Sequence, residues 1–271
     1  MTGYAGTAER VRDLTIGRQR LRVATRDGRG TPLLLCNGIG ATLELLDPFV
    51  EALDPDIPVI RFDVPGIGGS PMPTRPYSIL TLGLLLRRLL DHLGHDEADV
   101  LGISWGGAPA QQLALQCGGR VRRLVLVSTA TGALMVPARP TVLAHMLTPH
   151  RYRDLDYAAS VAPEIYGGSL RTDPGAVREL LRSYTGPASW PGYFLQLAAS
   201  AVWTSLPVLP LIRQPTLLLA GDDDPIVPLV NARIMHGLLP DSTLHVFRGG
   251  HLGMLSDADV LAPVVVDFLR R

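Results

Sequence analysis

Lysine is missing from this 271-residue sequence: all 25 of its basic residues are arginine. Without a lysine amine there is no Schiff base to a carbonyl substrate, no anchor for pyridoxal phosphate and no P-loop lysine for a nucleotide phosphate. Cysteine is nearly as scarce. Cys36 and Cys117 cannot make a disulfide framework or a metal site, and their places at the end of a strand and of a helix predict inert core thiols. Net charge is also missing: 25 acidic residues balance the arginines, and only 18% of the chain is charged. Such a balance offers no electrostatic footprint for nucleic acid or for an anionic membrane. No apolar run approaches the ~20 residues of a membrane span. Met1-Thr2-Gly3-Tyr4-Ala5 shows no basic region leading into an apolar one, so a cytoplasmic location is expected.

What the sequence does hold is a regular alternation. Short apolar runs predict strands near 12–17, 20–26, 32–36, 58–63, 98–103, 122–128, 215–220 and 243–247. Amphipathic stretches predict helices near 42–53, 78–94, 105–117, 229–238 and 257–269. Strands alternating with helices imply an α/β fold, with a mostly parallel sheet covered on both faces. From 132 to 207 no segment is strongly β-like, and short helical stretches alternate with proline and glycine. We read this as a helical cap inserted into one domain, leaving 1–131 and 208–271 as the core. Eight of the fifteen aromatics fall in the cap, which favours an apolar cleft between cap and sheet. Met135, Met146, Tyr166, Trp190, Phe194 and Trp203 are the candidate substrate-binding residues.

Residues 100 to 107 carry the chemistry. The strand runs into Gly102-Ile103-Ser104-Trp105-Gly106, a G-x-S-x-G pentapeptide that opens a helix. A serine on so sharp a turn is held in strained backbone angles with its hydroxyl above the sheet, which predicts Ser104 as a nucleophile. An acid and a base should follow in that order. The strand near 215–220 ends in Gly221-Asp222-Asp223-Asp224-Pro225. Its G-x-x-D spacing selects Asp224, with Asp223 as the alternative, while Asp222 and Asp223 read as solvated turn carboxylates. Among seven histidines, His251 follows Gly249-Gly250 between the last strand and last helix, where a loop can bring a base over the nucleophile. His92, His95, His145, His150, His236 and His245 read as helix-surface, loop or strand-face residues. An oxyanion hole needs two fixed N–H dipoles. Trp105, next to the nucleophile, is one expected donor. Ile39, in the turn Asn37-Gly38-Ile39-Gly40 after a buried strand, is the other. Asn37 stands where such enzymes often carry histidine, so the bonds supporting this turn must differ. Asp63 also ends a strand, but before a glycine- and proline-rich turn, and is read as stabilising that turn.

At this point a resemblance becomes specific. Asn37-Gly38-Ile39-Gly40-Ala41, Phe62-Asp63-Val64-Pro65-Gly66 and the serine pentapeptide with Gly107-Ala108 resemble the intracellular, medium-chain-length poly(3-hydroxyalkanoate) depolymerases of the α/β-hydrolase superfamily. So do Ala162-Pro163-Glu164-Ile165-Tyr166-Gly167-Gly168, Trp203-Thr204-Ser205 and the acid turn. The resemblance runs from about residue 20 to the end and implies Ser104, Asp224 and His251 as the matching catalytic positions. It implies hydrolysis of hydrophobic 3-hydroxyalkanoate esters through an acyl-enzyme, with no metal or organic cofactor and with a storage-granule surface as a candidate partner. A small-molecule carboxylesterase or perhydrolase and a carbon–carbon bond hydrolase remain alternatives. The last would need a cap arginine, for which Arg151, Arg153, Arg171, Arg178 and Arg182 are candidates. A ligand receptor on the same fold is a third. The oligomeric state is left open.

Overall fold

The computed structural model describes residues 9–173, 177, 178, 180 and 189–271; the first five residues, Arg182 and Tyr184 lie outside them. Eight strands form one sheet: β1 (Arg10–Ile16), β2 (Gln19–Arg26), β3 (Leu33–Cys36), β4 (Val59–Phe62), β5 (Ala98–Ile103), β6 (Val121–Val127), β7 (Thr216–Gly221) and β8 (Ser242–Phe247). Their order is β1-β2-β4-β3-β5-β6-β7-β8. The β1–β2 and β2–β4 pairs are antiparallel and every later pair is parallel. β3, β5 and β7 are buried along their whole length, which is why their sequences are nearly unbroken apolar runs.

Alternate residues of those strands supply two separate cores. Leu33, Leu35, Leu101, Ile103 and Val125 pack against Phe49, Val265 and Leu269 on one face. Leu34, Cys36, Val100, Leu124 and Leu126 pack against Leu82, Leu86, Leu89 and Leu113 on the other. The leucine-rich helix Ile79–Leu93 begins at a reciprocal cap. The Ser78 hydroxyl accepts the Thr81 N–H at 3.3 Å, and the Thr81 hydroxyl accepts the Ser78 N–H at 2.9 Å. It ends at Gly94, whose φ of 77° suits a glycine.

Three expected helices are divided, and 105–117 is a 3-10 turn, Ser104–Gly106, followed by the helix Gly107–Gln116. The stretch 42–53 is a 3-10 turn, Leu43–Leu46, followed by the helix Asp47–Ala52. Pro48, which has no N–H to donate, is tolerated in the first turn of this new helix. The terminal stretch divides into Gly253–Ser256 and Ala258–Arg270, because Asp257 leaves helical angles at φ −125°. The Asp63 turn assignment holds: its carboxylate accepts the Leu43 and Gly69 N–H groups at 2.8 Å each. Cys36 is buried as expected, whereas Cys117 is only half-buried.

Between β6 and β7 the chain leaves the sheet for the helices Pro140–Met146, Leu155–Ile165 and Trp190–Ala201. The ends of this excursion meet at an isolated bridge between Gly132 and Thr204, where Ala133 N–H donates to the Trp203 carbonyl at 2.8 Å. Among the described residues no helix is long and apolar enough to cross a membrane.

Candidate active site

The site lies beyond the carboxyl ends of the strands, around the point where β4 and β5 run to opposite sides of β3, the crevice where open α/β sheets bind ligands. Ser104 leaves β5 with φ 53°, one of two non-glycine residues at positive φ among those described. That strain is held from several sides. Thr129 donates its hydroxyl to the Ser104 carbonyl at 2.6 Å. A Cβ on Gly102 would lie 2.5 Å from the Gly106 carbonyl oxygen, and one on Gly106 would run into the Cys36 carbonyl of β3. Only hydrogen at both positions lets the turn close this tightly.

The three residues expected in line are in line. The Ser104 hydroxyl lies 2.9 Å from His251 Nε2, and His251 Nδ1 lies 2.8 Å from Asp224 Oδ2. The carboxylate can only accept, so the proton of this last bond sits on Nδ1, leaving Nε2 free to accept from serine. Asp224 is fixed by its other oxygen, which accepts the Ile226 and Val227 N–H groups at 2.9 and 2.8 Å. His251 and Asp224 are both buried. No other histidine bonds to Ser104 among the described residues.

Asp222 and Asp223 turn away. Asp222 accepts the Gly249 N–H at 3.0 Å, a bond to the histidine loop 27 residues on and not to its own turn. Asp223 also departs from the expected solvated turn carboxylate. It pairs with Arg171 at 2.6 and 2.9 Å and accepts the Gly168 N–H at 2.8 Å, tying the acid turn to a segment 52 residues away. The Tyr166 carbonyl accepts the His251 N–H at 2.7 Å. The Ile165-Tyr166-Gly167-Gly168 segment therefore bridges the acid turn and the histidine loop. A Cβ on Gly250 would strike the Tyr166 carbonyl, which accounts for glycine before the histidine.

The Arg171 guanidinium holds the Asp223 carboxyl below its usual 3.8. A depressed carboxylate contributes stability above its unfolded pKa and loses it as pH falls through the folded one. Asp223→Asn should lower Tm by about 1–3 °C at pH 7, since a half-exposed pair is worth at most ~1 kcal/mol. The difference from the parent should shrink as pH falls below 3.8. A difference that persisted in acid would show that the Gly168 bond, not the charge, is what matters.

The Asn37 turn has its own supports. Asn37 donates to the Thr42 carbonyl at 2.6 Å and accepts the Gly38 N–H at 2.8 Å, in place of the histidine bonds expected elsewhere. Gln196 accepts the Gly40 N–H at 2.7 Å, and Tyr152 donates its hydroxyl to the Ile39 carbonyl at 2.6 Å. Ile39 borders a cavity together with Ser104 and His251. Trp105 sends its indole N–H to Ser200, 2.8 Å away on the helix Trp190–Ala201.

Of the six substrate-binding candidates, Met146 and Tyr166 border the cavity. The other four substrate-binding candidates do not. Trp203 is buried in the core and donates to Gln112 at 2.7 Å. Trp190 and Phe194 are exposed and tilted against one another with ring centres 5.8 Å apart, and Met135 sits half-buried at the neck. Helix packing took one aromatic inward and left two outside. Tyr152 and Arg151 border the cavity in their stead. Of the other cap arginines described, Arg153, Arg171 and Arg178 are exposed. The cavity, of about 30 Å³, lies between the cap residues Met146, Tyr152 and Tyr166 and the core residues Leu45, Ile103 and Leu252, the apolar setting that the aromatic content suggested.

A strand–serine–helix turn at this place in such a sheet, with an acid and a histidine on later loops, defines a hydrolase class, and the chain belongs to the alpha/beta hydrolase fold family, whose model matches residues 31–258. Within it the chain belongs to the poly(3-hydroxyalkanoate) depolymerase family. It is 46% identical over 263 residues to the poly(3-hydroxyalkanoate) depolymerase of Ectopseudomonas oleovorans, covering 96% of this chain and 92% of that one. It is 27% identical over 243 residues to 3-oxoadipate enol-lactonase 2 of Acinetobacter baylyi, covering 88% of each. The crystal structure of the enol-lactonase from Burkholderia xenovorans LB400 shares the fold, with a TM-score of 0.81 at 24% identity over 96% of this chain and all of that one.

Proposed function

We propose that the protein is a serine ester hydrolase that cleaves hydrophobic poly(3-hydroxyalkanoates) and their oligomers. The observation that carries this reading is the Ser104–His251–Asp224 hydrogen-bond chain in a sequence 46% identical to a named depolymerase. His251 takes the proton of Ser104 as its oxygen attacks the ester carbonyl. The Ile39 and Trp105 N–H groups hold the oxyanion, and Asp224 holds the imidazole in the required tautomer. A 3-hydroxyacyl enzyme forms, the alcohol leaves with the proton from His251, and water then completes the cycle.

Residues 132–207 act as the cap in this reading. Met146 of the cap and Ser104 line the same cavity, so an acyl chain reaching the serine passes beneath the cap at Met146. Seven of the sixteen exposed large hydrophobics among the described residues fall within 132–207, Leu134, Leu147 and Val202 most exposed of them. In this reading these side chains face the insoluble polyester particle. A cytoplasmic location at storage granules belongs to the same reading.

The test is release of 3-hydroxy acids from suspensions of medium-chain and short-chain polyester, beside a nitrophenyl ester series. Each buried methylene contributes about 0.8 kcal/mol, roughly fourfold. Rates should therefore climb from acetate toward octanoate and then level off. Fastest turnover of acetate, with no hydroxy acid released from medium-chain polyester, would leave a small-substrate esterase.

A further inference from the structure

The cavity that holds Ser104 also holds a buried cation. Arg151 is 2% exposed, and no carboxylate of the described residues lies within ion-pairing distance of it. Its Nη1 reaches the His145 and Thr148 carbonyls, both at 3.2 Å, and its Nη2 the Tyr193 and Tyr152 hydroxyls at 3.1 and 3.4 Å. These bonds are long for a charged donor. Its Nε–H, also buried, makes no hydrogen bond of good geometry, and the Tyr166 hydroxyl beside the guanidinium is neutral. The guanidinium carbon stands 4.6 and 5.5 Å from the Tyr152 and Tyr193 ring centres, so the rings recover part of the lost hydration. Tyr193 and Tyr166 do not supply an anion: burial pushes the Tyr193 hydroxyl up to about 12 and that of Tyr166 higher still.

A desolvated guanidinium without a counter-ion is costly, and burying it beside a nucleophile needs a reason. A structural strut would be met by full hydrogen bonding, which this one lacks. The fork geometry of arginine matches a carboxylate, and the missing anion has a natural source in the proposed reaction. A chain of 3-hydroxyacyl units carries one carboxylate, on the unit whose own hydroxyl forms the last ester bond. When Ser104 attacks that ester, the bond from the acyl carbon to this oxygen breaks. The oxygen takes its proton from His251, and the unit departs as a 3-hydroxy acid anion.

Resting on the depolymerase reading above, we propose that Arg151 is a carboxylate subsite. It binds the free acid end of a 3-hydroxyalkanoate oligomer on the leaving-group side, so the enzyme favours the ester next to that end. Tyr152 couples the subsite to the reaction, since its hydroxyl meets Arg151 on one side and the Ile39 carbonyl on the other.

The test compares a 3-hydroxyoctanoate dimer as free acid with its methyl ester, which removes the charge and keeps the scissile bond. The parent enzyme should prefer the acid in kcat/KM, chiefly through KM. In Arg151→Gln and Arg151→Met that acid-to-methyl-ester ratio should fall by about 10- to 100-fold, the range of one charged hydrogen-bonded contact. A ratio of one in the parent, or a ratio unmoved in a folded variant, would overturn the subsite. Should the variants not fold, the parent decides alone. 3-Hydroxyoctanoate should compete with nitrophenyl ester hydrolysis at pH 7 while its methyl ester competes far less, and equal inhibition would overturn the proposal. Failure to hydrolyse either dimer would instead count against the depolymerase reading, and the inhibition pair would still judge Arg151.

Discussion

Replacing Ser104 or His251 by alanine should lower ester turnover by about 10⁴- to 10⁶-fold, the two acting as a unit so that either loss costs nearly as much as both. The geometry makes the expectation specific to three residues. Asp224→Asn should cost about 10⁴-fold, because an amide can offer N–H to His251 and turn the imidazole to the wrong tautomer. The fold around it should survive, since the Ile226 and Val227 N–H groups still find an acceptor. Asp222→Asn and Asp223→Asn should stay within about tenfold of the parent, as neither carboxylate bonds to His251. Turnover of a nitrophenyl ester across the five variants, with circular dichroism to confirm folding, decides it. If Asp223→Asn were the severe acid variant, the hydrogen bond between Asp224 and His251 would not be the working one.

Gly106→Ala should unfold the protein at a markedly lower temperature. The added Cβ points into the Cys36 and Asn37 carbonyls, which belong to the end of β3 and the turn carrying Ile39. Backbone cannot rotate aside as a flexible side chain can, so strand, turn and nucleophile must all shift. Overpacking of this kind costs typically 1–3 kcal/mol and sometimes more, or about 2–12 °C in Tm for a chain of this size. Activity should fall further than stability, because the Ser104–His251 distance and the Ile39 N–H both depend on that turn. Gly119→Ala is the control: nothing lies within 4 Å of its Cβ, so its Tm should match the parent. A Gly106→Ala protein that melts with the parent would mean the elbow has slack that the strand packing does not suggest.

How far the site could be read in advance depended on the range of the forces involved. Strand and helix positions followed from local periodicity, and helices were divided where a proline, a terminal turn or the serine elbow intervened, at Pro48, Asp257 and Ser104–Gly106. The elbow was legible because glycine on both sides of a serine is itself the requirement for a close strand–helix approach. The choice of Asp224 over its neighbours was legible from turn spacing, although the role of Asp223 was not. Its partner Arg171 is 52 residues away, and nothing local marks that pairing.

The amino-acid sequence by itself determined where the proposed chemistry sits: a serine at a strained turn, an acid and a histidine after later strands, and the Asn37–Gly40 turn after β3. These are short motifs whose residue types are dictated by backbone geometry within a few positions. Tertiary structure alone decided what surrounds that chemistry. Trp203, Trp190 and Phe194 are equally apolar on paper, yet one fills the core and two lie outside. Five arginines were equivalent candidates, and of those described burial chose Arg151 alone for the cavity. Packing of distant helices against the sheet fixes which side of a residue faces the nucleophile, and no local pattern records it.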